Sequence, residues 1–440
     1  MITQLKYYLK KLIRQGFTFN KLLNELKKSQ YFSQEQLDEL QNKKLRKIIQ
    51  HCYKNVPYYR KLFDNLGLKP KDIQTKEDLQ KLPYLDKYLV KDNFDKLIAK
   101  NKSKLLCNIG QTSGTTGTPL KIYRDYHSIN FENAAVYRHY SNAADTKSRK
   151  VTLRGQVVVP VNVQKPPFWQ YNSADNELIM SSYHLSDKTA KIFIEKIKEF
   201  NPQIICAYPS SVHLLAKHFD NSNQKFKLNA VFTSSEKLKK HQRELIEKVF
   251  ECKVYDWYGQ AERVVAIGQC AKGTYHIIED YSIVETLEAD SGLELVGTNL
   301  DNYIMPLLRY KTGDNVKLST LKCSCGTHFR EVSAIEGRET NYYFLTNDGV
   351  KITAFDHFSR GVNNIFEAQV VQEKIDELII NVTTNGNFCD MDKEQLVRNI
   401  IEHTYADMKV IINEVSEIPR GANGKFVSVV NKLIGANNGQ

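Results

Sequence analysis

A short polar loop has the composition of a phosphate-binding site. Residues 111–119 have the sequence Gln-Thr-Ser-Gly-Thr-Thr-Gly-Thr-Pro, without a bulky apolar side chain. Glycine lets a backbone come close to a ligand, and successive N–H groups together with the hydroxyls of Ser113, Thr115 and Thr116 can donate to an anion. The spacing does not fit a Walker A motif. Alone, the loop predicts either a phosphate-binding loop or a flexible Thr/Gly turn.

Four further motifs follow the loop in order. They are Tyr-Gly-x-x-Glu at 258–262, Tyr-x-Thr-Gly-Asp at 310–314, Gly-Arg at 337–338 and a lysine, Lys425, near the C-terminus. Each motif alone is a weak or moderate signal. The five together resemble the motif series of the adenylate-forming ligases, and the match extends over nearly the whole chain.

Other segments resemble one subgroup of that family. Residues 45–51, 56–60 and 82–87 are similar to the N-terminal helices of phenylacetate–CoA ligase and its capsular-polysaccharide-associated relatives. Residues 181–186 and 207–211 favour the polysaccharide-associated branch. The fold that this resemblance implies is a large α/β domain followed by a small C-terminal domain that rotates.

The resemblance implies a reaction between two anions, a carboxylate and the α-phosphate of ATP. Fixed positive charge and preorganised donors are the largest help an enzyme can give to such a step. Ser113, Thr115 and Thr116 would hold the β- and γ-phosphates. Glu262 would hold Mg²⁺, a hard cation that prefers carboxylate and phosphate oxygens. Lys425, a compact point charge, would bridge the carboxylate and the α-phosphate.

The same resemblance assigns the nucleoside contacts and predicts an acid pocket. Tyr258 would stack on adenine, and Asp314 and Arg338 would bind the ribose hydroxyls. The other residues predicted to bind the nucleotide are Ser235, Glu236, Asp256, Trp257 and Gly259. The acid pocket is predicted to contain Arg154, His184 and Tyr208, because they lie in segments before or at strand ends near the nucleotide.

The expected course is formation of an acyl-adenylate with release of pyrophosphate, followed by transfer to an acceptor. CoA is the expected acceptor, while a carrier-protein thiol or a sugar amine stays open. The small carboxylic acid itself is not specified by the sequence. A different class of function, a catalytically idle nucleotide-binding scaffold, is the alternative, and retention of Glu262, Asp314, Arg338 and Lys425 argues against it.

Two positions depart from the family pattern. Thr340, followed by Asn341, stands where relatives have an aspartate at the pivot of the small domain. A hinge needs only a residue that absorbs a φ/ψ change, so rotation is expected to survive. Leu120 stands where many relatives have a lysine after the phosphate loop, and Lys121 is a candidate to compensate.

Three cysteines and a histidine form a candidate structural zinc site. Cys270 and His276 lie in the same strand-rich region as Cys323 and Cys325. Three thiolates and one imidazole are a ligand set of structural zinc. Cys-x-Cys-Gly also recurs in relatives of phenylacetate–CoA ligase. The alternatives are reduced thiols beside a core histidine, or His328 as the nitrogen ligand.

Hydrophobic patterning predicts the elements that position these motifs. Strand-like runs at 156–159, 203–207, 230–233 and 253–256 alternate with helical runs, which predicts parallel βαβ units whose carboxyl ends bind ligands. The predicted fold class is α/β, with a mostly parallel sheet in a large domain at 1–339, whose first 100 residues are helical. A small α+β lid domain is predicted at 340–440.

Charge limits the partners. The chain carries 62 Lys and Arg against 50 Asp and Glu, a net charge of +12, which favours polyanionic ligands. The basic residues form no RNA-binding signature, so nucleic acid is not expected.

Without an apolar run of spanning length or a signal-peptide pattern, a cytoplasmic protein is expected. The basic, amphipathic residues 1–32 predict a helix that caps the first domain or, as an alternative, lies on an anionic membrane. Relatives in the resembling family are often dimers, so a homodimer is a candidate assembly.

Overall fold

Helices make up the first hundred residues, as their apolar spacing predicts. The structure, a computed structural model, describes residues 2–111, 120–145, 147–160, 162–289, 292–337, 344–346, 351–352, 358, 362, 364–404, 408–421 and 424–433. The first helices are α1 (Ile2–Arg14), α2 (Phe19–Ser29), α3 (Gln34–Asn55), α4 (Pro57–Asn65) and α5 (Lys87–Asp92). The helical stretch predicted at 1–32 is therefore two helices. Helix α3 begins with a capping box formed by Ser33 and Gln36.

A two-stranded hairpin and a long helix come next. Strands β1 (Asn108–Gln111) and β2 (Lys121–Arg124) pair antiparallel, with Gln111 opposite Lys121. The predicted phosphate loop therefore connects two paired strands. Helix α6 (Tyr126–Tyr140) follows, and Asp125 caps it by accepting a hydrogen bond from the Ser128 N–H at 2.9 Å.

A twelve-stranded sheet lies at the centre of residues 150–337. Its strands, with the intervening helices, are β3 (Lys150–Arg154), β4 (Trp169–Asn172), β5 (Glu177–Ser181), α7 (Ala190–Phe200), β6 (Ile204–Ala207), α8 (Pro209–Asn221), β7 (Ala230–Ser234), α9 (Lys240–Phe250), β8 (Lys253–Gly259), β9 (Ala266–Gln269), β10 (Tyr275–Ile277), β11 (Ser282–Ala289), β12 (Gly292–Asn299), β13 (Tyr310–Leu318) and β14 (Glu331–Gly337). The strand order is β11-β12-β13-β14-β10-β9-β8-β7-β6-β3-β5-β4.

The sheet is parallel in only one half. Strands β5, β3, β6, β7 and β8 are parallel neighbours, whereas β4 and the strands from β9 onward pair antiparallel. The predicted α/β class is confirmed, but the sheet is mixed rather than mostly parallel. The strand predicted at 156–159 is wrong, because the strand is Lys150–Arg154 and residues 156–159 form the loop after it.

Apolar side chains on both faces of the sheet form the large core. One cluster packs α7, α8 and α9 against the parallel strands. A second packs α3 and α4 against the antiparallel half, and a third packs α2 and α6 near β8 and β9. Because both faces are covered, ligands can reach the parallel strands chiefly at their ends.

A second sheet forms the small C-terminal unit. Its elements are β15 (Phe344–Leu345), β16 (Lys351–Ile352), β17 (Ile365–Lys374), β18 (Glu377–Thr384), α10 (Asp390–Thr404), β19 (Lys409–Glu414) and β20 (Val429–Asn431). Strands pair in the order β19-β18-β17-β20, and the unit has its own apolar core. The predicted boundary at 339/340 lies outside the described residues and stays a prediction.

A buried ion pair joins the helical layer to the sheet. The guanidinium of Arg138 in α6 donates to both carboxylate oxygens of Asp280, with Nη2–Oδ1 at 2.9 Å, and also to the Leu26 carbonyl at 2.7 Å. Ser29 in α2 donates its hydroxyl to the same carboxylate. Removing one partner of such a pair leaves an uncompensated buried charge.

Asp280→Ala should therefore destabilise the protein by about 3–5 kcal/mol. The exposed pair of Lys104 and Asp95, 3.8 Å apart, supplies the control, and Asp95→Ala should cost less than about 1 kcal/mol. Thermal unfolding monitored by circular dichroism measures both. Similar shifts in the two variants would contradict the role of the buried pair.

Candidate active site

Two of the predicted motifs are joined by a pair of tyrosine–carboxylate hydrogen bonds. The Tyr258 hydroxyl donates to Asp314 Oδ2 at 2.7 Å, and the Tyr310 hydroxyl donates to Glu262 Oε1 at 2.8 Å. Each motif thus supplies one tyrosine and one acid, and each tyrosine holds the acid of the other motif. Both carboxylates are buried. The arrangement brings Tyr258, Glu262 and Asp314 together as predicted.

Burial and charge keep Tyr258 as a donor. Burial, with the adjacent Asp314 carboxylate, raises the pKa of Tyr258 well above its usual value. The phenol therefore keeps its proton, and the acid beside it is fixed in orientation. A buried carboxylate held in this way suits a ligand that brings hydroxyl donors or a hard cation.

Arg124 is a basic group near this pair that sequence reasoning missed. It ends β2, the strand after the predicted phosphate loop, and donates to the Ala261 carbonyl next to Glu262. Its Nε is buried without a hydrogen-bond partner among the described residues. Burial lowers the pKa of Arg124 to about 10, an effect increased by Arg263 and opposed by nearby acids, so it stays charged at neutral pH.

Lys425 is seated on the large domain at the carboxyl end of β6. Its Nζ lies 5.9 Å from the centre of the Tyr208 ring. Gly424 before it has φ +67°, and a Cβ there would lie 2.5 Å from Ser182 Oγ. Only glycine fits both this backbone conformation and this approach. The predicted catalytic lysine is thus brought to the same end of the sheet as the predicted acid pocket.

Glu236 connects the lysine segment to the sheet. Its carboxylate accepts from the Ser210 N–H at 3.0 Å and hydroxyl at 3.1 Å, and from the Phe426 N–H at 3.3 Å. Burial raises the pKa of Glu236, while Ser210 and Lys425 oppose the shift. The sequence placed Glu236 beside adenine, and that role stays a prediction. The described contacts are those of a residue that positions the lysine segment.

The three predicted acid-pocket residues lie at neighbouring strand ends. Arg154 ends β3 opposite Ser181 of β5, and Tyr208 follows β6 on the other side. His184 Nδ1 lies 2.8 Å from Ser181 Oγ, and its ring stacks on Phe168. Arg154 Nε and His184 Nε2 are buried without a partner among the described residues. The structure brings this set together beside Lys425.

Four other residues predicted to contact the nucleotide lie outside the groups described above. Both carboxylate oxygens of Asp256 accept hydrogen bonds, from Thr233 at 2.6 Å and Tyr275 at 2.9 Å. The Trp257 indole packs against His139, at 5.1 Å between ring centres, in the core beneath α6. Ser235 and Gly259 are exposed at the ends of β7 and β8. Their contacts with a nucleotide stay predictions.

The predicted zinc residues form one cluster. Ligand atoms of Cys270, His276, Cys323 and Cys325 all lie within 4.8 Å of one another, with Cys270 Sγ to Cys323 Sγ at 3.7 Å and Cys325 Sγ to His276 Nε2 at 3.5 Å. Tetrahedral zinc has bonds of about 2.3 Å to sulfur and 2.0 Å to nitrogen, which separate two sulfur ligands by about 3.8 Å and a sulfur from a nitrogen ligand by about 3.5 Å. His276 Nδ1 donates to the Phe329 carbonyl, so Nε2 can bind a metal. His328 lies outside the cluster and contacts the Phe32 carbonyl.

Comparison with known proteins supports the predicted family. Residues 344–432 match the model of the CapK C-terminal domain. The chain is 27% identical to CapK of Staphylococcus aureus, over 83% of this chain and 81% of that protein. It is 24% identical to a phenylacetate–coenzyme A ligase of Thermus thermophilus, over 90% and 96% of the two chains. Over most of its length the chain is therefore similar to CapK and to the phenylacetate–coenzyme A ligases, as the motif series predicts.

Solved structures confirm the fold that this family has. A 2-hydroxyisobutyryl-CoA ligase in the postadenylation state, with an acyl-AMP bound, has a TM-score of 0.69 at 16% identity, over 93% of both chains. The same ligase in its thioesterification state, with CoA, has a TM-score of 0.55. The overall similarity is therefore higher to the structure of the postadenylation state.

Several predicted residues lie outside the described part of the chain. They are Ser113, Thr115, Thr116, Arg338, Thr340 and Asn341. Of the two departures from the family pattern, only Leu120 is described. It is 3% exposed and belongs to the core beneath the N-terminal helices, where a lysine would lose its hydration. Lys121 is exposed on β2.

Further contacts hold the small unit in place. Lys217 in α8 donates to the carbonyls of Ile365 and Phe366 in β17, and Arg420 donates to the Leu185 carbonyl at 3.3 Å. Arg420 also pairs with Glu367 at 2.7 Å, both side chains being buried. Burial lowers the pKa of Lys217 to about 8 against the opposing charges of Glu367 and Asp187. These contacts join separate segments, so sequence spacing gives no sign of them.

Glu236→Ala should release the lysine segment, because the Phe426 N–H and the N-terminus of α8 lose their hydrogen-bond acceptor. The loss should cost about 1–3 kcal/mol of the free energy that holds the segment in place. Hydrogen exchange of residues 424–428 measures this, and we expect about tenfold faster exchange or more. Glu244→Ala, at an exposed position in α9, is the matched control and should change nothing. Unchanged exchange in Glu236→Ala would show that this carboxylate does not hold the segment.

Proposed function

We propose that the protein activates a carboxylic acid with ATP and transfers the acyl group to a thiol. The observation that carries this proposal is the position of Lys425. A segment of the small unit places this lysine over Tyr208 at the carboxyl ends of the parallel strands, beside Arg154 and His184, whose Nε and Nε2 atoms are buried. On the same large domain, Glu262 and Asp314 are fixed by tyrosines.

In the first half-reaction the acid's carboxylate oxygen attacks the α-phosphorus of ATP, and the bond to the β-phosphate breaks to release pyrophosphate. Lys425 would place its ammonium between the two anions, and Arg124 would add fixed positive charge after the phosphate loop. Such charge acts most strongly where water is excluded. Glu262 would bind Mg²⁺, which neutralises phosphate charge when bound. Asp314 would accept from the ribose hydroxyls, with Tyr258 setting its orientation.

In the second half-reaction a thiol attacks the acyl carbonyl, and AMP leaves as the acyl–thiol bond forms. We propose that the small unit rotates between the two steps. The related fold supports this, because one ligase has been solved in two states that match the present structure to different degrees. The contacts of Glu236, Lys217 and Arg420 would then hold the adenylation state only.

The acceptor that the relatives favour is CoA. Four phenylacetate–coenzyme A ligases are among the similar proteins, including one from Escherichia coli at 25% identity over 74% of this chain. A role in capsule formation rests on CapK alone. An assay with preformed acyl-adenylate identifies the acceptor. It compares the transfer of the acyl group to CoA, to a pantetheine-bearing carrier protein and to an amino sugar.

Lys425→Ala should lower the rate of ATP–pyrophosphate exchange by about a hundredfold or more, because the charge of the lysine acts mainly in the transition state. The affinity for ATP should stay within a few-fold of wild type. The acids in the assay are aryl acids, short fatty acids, amino acids and sugar acids. Lys432→Ala is the control, since that exposed lysine of the same unit pairs only with Glu373 among the described residues. Exchange within tenfold of wild type in Lys425→Ala would contradict the proposed role.

We further propose that Cys270, His276, Cys323 and Cys325 bind a structural zinc ion. The two closest pairs of ligand atoms are spaced within about 0.1 Å of tetrahedral zinc geometry. The 3.7 Å between Cys270 and Cys323 is far longer than a disulfide bond of about 2.05 Å. The site joins β10 to the loop before β14, away from Lys425, so zinc would stabilise the sheet.

Protein purified without chelator should contain about one equivalent of zinc by atomic emission, and Cys323→Ser/Cys325→Ser should lose it together with thermal stability. Cys389→Ser is the control, because that exposed cysteine lies in the small unit. A zinc content below about half an equivalent in the wild-type protein would reject the site.

A further inference from the structure

Helix α1 presents an apolar stripe to solvent. Leu5, Leu9, Leu12 and Ile13 are 60, 52, 63 and 49% exposed, and Phe17 after the helix is fully exposed. Their spacing places the four helical residues on one face. Soluble proteins rarely expose a contiguous apolar patch of this kind without a binding partner.

The opposite face of α1 is attached to the protein body. The Tyr7 hydroxyl donates to Gln170 Oε1 at 2.7 Å, Gln4 donates to the Tyr171 carbonyl at 2.6 Å, and Lys11 pairs with Asp175 at 3.2 Å. Asn130 of α6 donates to the Ile13 carbonyl at 3.0 Å. The helix therefore cannot turn its stripe inward without breaking these contacts.

The segment that carries the stripe is basic. The first 30 residues contain seven basic side chains and one acid, Glu25, a net charge of +6 out of +12 for the whole chain. The basic side chains are Lys6, Lys10, Lys11, Arg14, Lys21, Lys27 and Lys28. Lys6 and Arg14 are exposed on α1, and Lys21, Lys27 and Lys28 are exposed on α2.

We propose that this surface, α1 with Phe17 and the lysines of α2, docks on an anionic lipid bilayer. An apolar stripe flanked by cations is the combination that binds in the headgroup region, where the apolar side chains enter the acyl boundary and the cations meet anionic lipids. None of the helices in the described ranges has the length and apolar character needed to cross a bilayer. The contact is therefore peripheral.

Charge argues against a second copy as the occupant. A symmetric dimer across α1 would place the same surface on both sides, so that the exposed Lys6 and Arg14 of the two copies would face like charges. Nucleic acid would meet the charge but leave the leucines and Phe17 unburied. An anionic bilayer satisfies both the apolar and the basic part of the surface.

Vesicle sedimentation with the full-length protein tests the proposal. Vesicles of phosphatidylcholine alone are compared with vesicles containing about one-third phosphatidylglycerol. The variant Leu5→Gln/Leu9→Gln/Leu12→Gln should reduce binding to anionic vesicles about tenfold or more, because it removes the apolar part of the surface. The matched control, Leu66→Gln/Leu105→Gln/Leu321→Gln, changes three other exposed leucines and should bind like wild type.

Three results together would support the proposal. Wild-type binding should require anionic lipid, it should weaken as salt is added, and only the α1 variant should lose it. Equal far-ultraviolet circular dichroism and thermal unfolding must show that both variants are folded. Absence of wild-type binding at low salt, or equal binding by the α1 variant, would overturn it. A wild-type dimer that becomes monomeric in the α1 variant, without vesicle binding, would overturn it in favour of self-association.

Discussion

Two buried carboxylates must be held in fixed positions, and the rest of the candidate site depends on how they are held. Glu262 and Asp314 each accept a hydrogen bond from a tyrosine that belongs to the other's motif. A buried acid costs free energy unless it is hydrogen-bonded or paired with a cation. The crossed pairs lower that cost and fix the spacing between the end of β8 and the start of β13. They also explain why each of the two motifs combines a tyrosine with an acid.

The cation proposed for this site comes from a separate unit of the chain. Lys425 is brought to the strand ends by contacts that are individually modest, namely Phe426 with Glu236, Lys217 with the β17 carbonyls, and Arg420 with the Leu185 carbonyl. Contacts that can be broken without unfolding either core suit the proposed movement of the small unit. Each unit keeps its own apolar cluster, so movement of the small unit would leave both cores intact.

Much of this arrangement could be predicted from the sequence, for physical reasons. Strands β6 and β7 are largely apolar runs because helices cover both faces of the sheet, and the capping box of α3 is a local pattern. Strand β3 was predicted in the wrong place because Lys150 and Thr152 alternate with apolar residues, whereas the more apolar run after it is a loop. Glu236, Arg124 and Lys217 act through contacts between distant segments, which no local pattern encodes. The outward stripe of α1 was indistinguishable from a core-facing one until its neighbours were known.

The most direct test of the account is a crystal structure with a non-hydrolysable acyl-adenylate analogue. The account predicts one bound analogue, with Tyr258 against the base, Asp314 on the ribose hydroxyls and Lys425 at the acyl–phosphate junction. An analogue bound in another cavity, or Lys425 and Asp314 contacting no common ligand in any arrangement of the two units, would contradict it.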